Sequence, residues 1–125
     1  MSHEFNHHQP IYRQLIDHFC QLIVSGSWVA GDRVDSVRNL AVLYEVNPNT
    51  IQKALSELER EGLLYTERTS GRFITRDQHL IKLVRQQLAC EKTEQFITQM
   101  TALGCSKEEL VELIHQNWRS DHVID

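Results

Sequence analysis

A chain of 125 residues, 41% hydrophobic and 24% charged, has room for one small domain and an appendage, and its composition is that of a folded protein. A formal net charge of −4 excludes a histone-like, non-specific polycation. No window approaches the roughly 20 apolar residues of a membrane span, the first residues lack the apolar stretch of a signal peptide, and three cysteines without paired spacing fit a reducing compartment. A cytoplasmic protein with no membrane partner is expected.

Residues 1–9 read as a flexible lead. The first helix is predicted from about Pro10 to Val24, with Ile11, Leu15 and Phe19 as its core stripe, joined by Ile16, Cys20 and Ile23. Ser25-Gly26-Ser27 ends it, and Trp28, Val29 and Val34 flank a Gly31-Asp32 turn. A second short helix runs from Ser36 to Tyr44, capped by Asp35 or Ser36, with Val37, Leu40, Ala41 and Tyr44 as its apolar face. The link Glu45-Val46-Asn47 has helix-turn-helix spacing. Asn47 is a good N-cap for the next helix, and Pro48 suits its first position, where a missing N–H costs nothing. Ile51, Ala54, Leu55 and Leu58 form the buried face of that helix, and Gly62 stops it. Two strand-like runs, Leu63 to Arg68 and Arg72 to Thr75, surround Thr69-Ser70-Gly71 and read as a β-hairpin, a wing.

Asp77-Gln78 marks a boundary. From about His79 to Leu103 a longer helix carries one stripe of Leu80, Val84 and Leu88, continued after a drift by Thr93, Phe96, Ile97, Met100 and Leu103. Gly104 terminates it. Ser106-Lys107-Glu108-Glu109 is a capping box, and the last helix is expected to bury Leu110, Leu113 and Ile114, with Trp118 a further candidate. Two helices of this size cannot close a core alone, so they pack on the first domain, a partner, or both. Leu80, Val84, Leu88, Phe96, Ile97, Met100, Leu110 and Ile114 are the candidate dimerisation residues.

The helix after Asn47 has a polar front of Asn49, Gln52, Lys53, Ser56 and Arg60. Amide, hydroxyl and ammonium groups at a helix N-terminus are what a base-reading helix presents to a major groove; the bland alternative is an ordinary amphipathic surface helix. Residues 33–76 also hold Arg33, Arg38, Arg68, Arg72 and Arg76, while Glu57, Glu59, Glu61 and Glu67 are expected to lie away from the reading face. A local basic surface with salt-dependent affinity follows. There is no Gly-rich phosphate loop, nucleophile elbow or clustered carboxylate pair, so no catalytic residue and no cofactor is assigned. His3, His7 and His8 can bind a metal loosely, but no Cys/His set has structural-zinc spacing, and no metal site is assigned. Cys20 is read as core, and Cys90 and Cys105 lack a thiolate-stabilising partner that would make them redox sensors.

Taken in order, Pro10-Ile11-Tyr12, Gln14-Leu15, Ile23, Ser25-Gly26-Ser27-Trp28, Gly31-Asp32-Arg33, Ser36-Val37-Arg38 and Leu40-Ala41 form one half of a recurring pattern. Val46-Asn47-Pro48-Asn49-Thr50, Lys53-Ala54, Leu58-Glu59, Gly62-Leu63 and Gly71-Arg72-Phe73 form the other. With these pieces, residues 10–76 resemble the DNA-binding domain of GntR-family bacterial transcription regulators. The opening Pro-Ile-Tyr, the Asn-Pro-Asn-Thr and the short C-terminal part are similar to the YtrA-like subgroup, which has a two-helix dimerisation segment in place of a large effector domain. The resemblance implies a mainly α fold with a small β-hairpin wing, namely a winged helix-turn-helix domain over residues 10–77 followed by a two-helix dimerisation appendage over residues 78–125. It also implies a short strand near Val34 against the wing, and a homodimeric repressor of its own operon that binds double-stranded DNA at a pseudo-palindromic operator.

By the same resemblance Arg38 contacts DNA. Asn49 and Thr50 lie where free helix N–H groups attract phosphate; Thr50 is expected to hold backbone, and Gln52 and Lys53 to read bases. Arg72 follows the wing-tip glycine and is expected at a minor groove or a phosphate. Asp35 departs from the family, which usually has proline there; an aspartate caps the helix but repels a phosphate at that end. The alternative function is a protein-interaction module on the same scaffold. Outward Asn49, Gln52 and Lys53 argue against it, since interface cores favour aromatic and apolar anchors. Any small-molecule effector is expected in a cleft between the helical appendages and the winged domains, lined by Phe96, Met100 and Trp118.

Overall fold

The computed structural model describes Phe5 and residues 8–119. Its elements are α1 (Ile11–Ser25), α2 (Val37–Tyr44), α3 (Pro48–Arg60), β1 (Leu64–Glu67), β2 (Gly71–Ile74), α4 (Gln78–Ala102) and α5 (Lys107–Asn117). The fold is mainly α with one antiparallel hairpin, as the sequence predicts. The chain divides into two compact units, one up to Gln86 and one from Gln87. His3, His7 and most of the expected N-terminal lead lie outside the described residues.

In the first unit α1 packs on α3, and α3 on α2 and β1. The core is Leu15, Phe19 and Ile23 from α1, Leu40, Ala41 and Tyr44 from α2, Ile51, Ala54, Leu55 and Leu58 from α3, and Leu63, Leu64 and Ile74 from the hairpin. Phe19 is its centre: the ring stacks on Trp28 at 4.9 Å between centroids and meets Tyr44 edge-on at 5.4 Å. Cys20 is buried, as expected. Ile11, expected in the core stripe, is instead 44% exposed. In that first turn Tyr12 is the residue that faces α3, and the buried stripe begins one turn later with Gln14 and Leu15.

Local chemistry sets the ends of the two central helices. Of the two candidate caps for α2, Ser36 serves: its hydroxyl accepts from the Asn39 N–H at 3.0 Å. Asp35 accepts from the Ser36 N–H at 2.8 Å and from the Asn39 side chain at 2.9 Å. The turn between α2 and α3 passes through Glu45, at φ 57° and ψ 45°, the one non-glycine residue with positive φ among the described residues. Asn47 caps α3 by accepting from the Asn49 N–H at 2.8 Å, with Pro48 as the first helical residue. Gly62, at φ +84°, turns the chain out of α3, and the Leu63 N–H closes back on the Leu58 carbonyl at 3.0 Å.

The wing pairs Leu64 with Ile74, Tyr65 with Phe73, Thr66 with Arg72 and Glu67 with Gly71. The Tyr65 and Phe73 rings stack across it at 5.6 Å. The short strand implied near Val34 is a single bridge, Arg33 to Phe73, framed by hydrogen bonds from the Val34 N–H to the Arg72 carbonyl and from the Ile74 N–H to the Asp32 carbonyl, each 2.9 Å. Residues 78–86 of α4 belong to this first unit, with Ile81 buried.

The second unit holds the rest of α4 and α5. The capping box is formed: the Ser106 N–H donates to the Glu109 carboxylate and the Glu109 N–H to the Ser106 hydroxyl, each 3.2 Å. Within the single chain the expected burial of α5 is met in part. Leu110 is buried and Leu113 half-buried, but Ile114 is 44% and Trp118 60% exposed. Two short helices share one seam, and the apolar side chains off that seam keep much of their surface exposed. Among the described residues no helix is long and apolar enough to cross a membrane.

Candidate nucleic-acid interface

The buried stripe of α3 fixes which way the helix faces. With Ile51, Ala54, Leu55 and Leu58 in the core, Asn49, Gln52, Lys53 and Ser56 are turned outward and exposed, and Thr50 is half-buried at the edge. Arg38 is exposed on the first turn of α2. The Ser36 N–H, at the positive end of that helix, is already taken by the carboxylate of Asp35.

Gln52 and Lys53 are neighbours in sequence with different company. The Lys53 ammonium lies 3.7 Å from the centroid of the Tyr12 ring, a cation on an aromatic face supplied by α1. The Gln52 amide donates to the Ser56 hydroxyl at 3.2 Å and accepts from Arg72 at 3.4 Å. Arg72 follows Gly71 but does not extend beyond the hairpin. Its half-buried side chain turns back to α3, where Nε donates to the Glu59 carboxylate at 3.0 Å. The same carboxylate oxygen accepts from the Thr66 hydroxyl at 2.8 Å. The Thr66 hydrogen bond, helped by the hydrogen bond and charge of Arg72, holds the Glu59 carboxyl below its ordinary value against the opposing effect of partial burial.

Two of the predicted site residues, Gln52 and Arg72, are therefore brought into direct contact. Glu59 corrects an expectation: it does not lie away from these residues but joins them. Glu57 pairs with Arg60 one turn on, at 2.6 Å. The sequence pattern by itself does not mark Tyr12, Glu59 or Thr66 as site residues. Tyr12 and Glu59 do fall inside matched fragments, Pro10-Ile11-Tyr12 and Leu58-Glu59, and that was the available signal.

Phe96, Met100 and Trp118, expected to line an effector cleft between appendage and winged domain, line a groove made by α4 and α5 themselves. It is open, has a volume of about 510 Å³, and is completed by Leu113, Ile114 and Asn117.

Two short helices joined by a tight turn, the second with a polar outer face and a hairpin behind it, define a winged helix-turn-helix protein. Residues 11–74 match the model of the bacterial regulatory proteins of the gntR family. The chain is 38% identical over 112 residues to the uncharacterized HTH-type transcriptional regulator YhcF of Bacillus subtilis, covering 90% of this chain and 93% of that one. It is 35% identical over 108 residues to the HTH-type transcriptional repressor YtrA of the same bacterium, covering 86% and 83%. A GntR family transcriptional regulator from Listeria monocytogenes superposes with a TM-score of 0.83 at 38% identity, over 91% of this chain and 100% of that one. The chain belongs to the GntR family of DNA-binding transcription regulators, with its YtrA-like members.

Proposed function

We propose that this protein is a cytoplasmic repressor that binds a pseudo-palindromic operator as a homodimer, with α3 of each protomer in a major groove. The observation that carries this reading is the outward face of α3. Its exposed amides and ammonium, Asn49, Gln52 and Lys53, stand on a helix whose direction is fixed by four buried side chains. Gln can bridge an adenine edge and Lys can donate to guanine, while Arg38, Thr50 and Arg72 position the protein on the backbone. Repression is proposed from the similarity to YtrA, a repressor by name.

Leu80, Val84, Leu88, Phe96, Ile97, Met100, Leu110 and Ile114 are proposed to form the dimer contact. Among the described residues of the second unit Leu110 is the one buried apolar side chain. An apolar surface left in that state favours association. Two-fold symmetry then sets the half-sites about one turn, or ~10 bp, apart. Selection of bound fragments from genomic DNA by the purified protein tests the reading: a recovered palindrome of that spacing supports it, and fragments with no shared sequence overturn it.

A further inference from the structure

We propose that Glu59 is a positioning residue that sets the base preference of Gln52 by way of Arg72. The proposal rests on the reading that Gln52 faces a base edge, and it adds the group that decides which way its amide points. The oxygen and nitrogen of a glutamine amide are alike in shape and opposite in hydrogen bonding, so a freely turning amide offers a base edge two patterns rather than one. Here Gln52, Ser56 and Glu59 stand at i, i+4 and i+7 on α3 and so share one stripe. Arg72 of β2 lies along that stripe and donates to Glu59 with Nε and to Gln52 with a terminal nitrogen, 3.0 and 3.4 Å away. The opposite amide orientation would set an NH₂ against a guanidinium, donor against donor. Ser56 accepts from the other end of the amide at 3.2 Å and completes the contacts of this orientation, while the donor-only guanidinium is what selects it.

Arginine is a long side chain with much rotamer freedom, and without a tether it would not hold one orientation. Glu59 is that tether, and Thr66 of β1 fixes Glu59 in turn at 2.8 Å. The wing is thereby linked to base reading through four side chains. The arrangement also explains an acid beside a DNA-facing surface: Glu59 offsets part of the charge of Arg72, and the cation serves selectivity in addition to its place on the backbone.

The test uses the full chain, its selected operator, operators with single base-pair changes, and random duplex. Glu59→Gln keeps the shape and removes the charge. It is expected to bind random duplex a few-fold tighter with a salt slope steeper by about 1. It is also expected to lose roughly threefold to thirtyfold of the discrimination at the base pairs that Gln52→Ala affects. In the Gln52→Ala background the same change should remove no further discrimination. Arg72→Lys, which keeps the charge but removes the fork that reaches both partners, should lose discrimination at the same base pairs. Wild-type discrimination by Glu59→Gln, or an equal loss in both backgrounds, overturns the proposal alone. No change of base preference in Gln52→Ala overturns the base-reading assignment, and this proposal with it.

Discussion

Lys53 shows how one residue in a neighbouring helix can shape a reading face. Its ammonium lies on the face of the Tyr12 ring, so α1 contributes to the surface that α3 presents. A cation on an exposed aromatic face contributes about 0.5–1 kcal/mol. If the ring holds Lys53 in the orientation that meets DNA, Tyr12→Leu is expected to weaken operator binding by no more than about fivefold, the fold-change that the whole contact corresponds to, while Tyr12→Phe, which keeps the ring, should bind as the parent does. Fluorescence anisotropy titrations with labelled operator separate the two. A phenylalanine variant as weak as the leucine variant would mean that the hydroxyl, not the ring face, is what matters. The sequence placed Lys53 and Gln52 on the outer face because helical period alone does that. It did not place Tyr12 under one and Arg72 beside the other, because those contacts join residues of different elements. For Glu59 the pattern says only that it borders the buried stripe; whether it meets solvent or a strand depends on where β2 lies.

At the scale of elements, the starts and stops are legible because each is written in one to four adjacent residues. Ser36, Asn47-Pro48 and Ser106 through Glu109 each cap a helix as their side-chain chemistry predicts. The degree of burial along α4 and α5 was less legible: periodicity identifies a stripe but not what covers it. Ile114 and Trp118 follow the pattern of buried residues and are exposed in the single chain. Gly62 offers a test at this scale. Its φ of +84° is costly for any residue with a side chain, and an added Cβ would stand 3.4 Å from a Leu80 methyl, which is ordinary contact. The backbone alone should thus decide the outcome, and Gly62→Ala is expected to cost about 1–2 kcal/mol. Chemical denaturation checks this; an unchanged midpoint would show that the turn relaxes without cost.

For the whole molecule, the proposed dimer makes the clearest demand. Ending the chain after Gln86 keeps Ile81 in the core of the first unit and removes most of the exposed apolar surface beyond it. That product is expected to be a folded monomer, and Leu88→Asp in the full chain should dissociate it too. Either loses the effective-concentration gain of two linked half-sites, on the order of a hundredfold in operator affinity. Sedimentation velocity reads the mass directly, and a shortened chain that still runs as a dimer would place the contact in the winged unit instead.

Glu45 carries a consequence for heat tolerance. A left-handed conformation costs a residue with a Cβ roughly 1–2 kcal/mol, and Glu45 holds it in the turn that sets α3 against α2. Asparagine tolerates that region better. Glu45→Asn is therefore expected to stabilise the winged unit by up to about 1 kcal/mol, which raises the melting temperature of a domain this size by roughly 4–8 °C. Calorimetry on the parent and the variant measures it, and an unchanged transition would mean that the glutamate side chain compensates for its backbone. Since Glu45 is not among the residues assigned to DNA, the thermal range of the regulator can shift while its choice of operator stays the same.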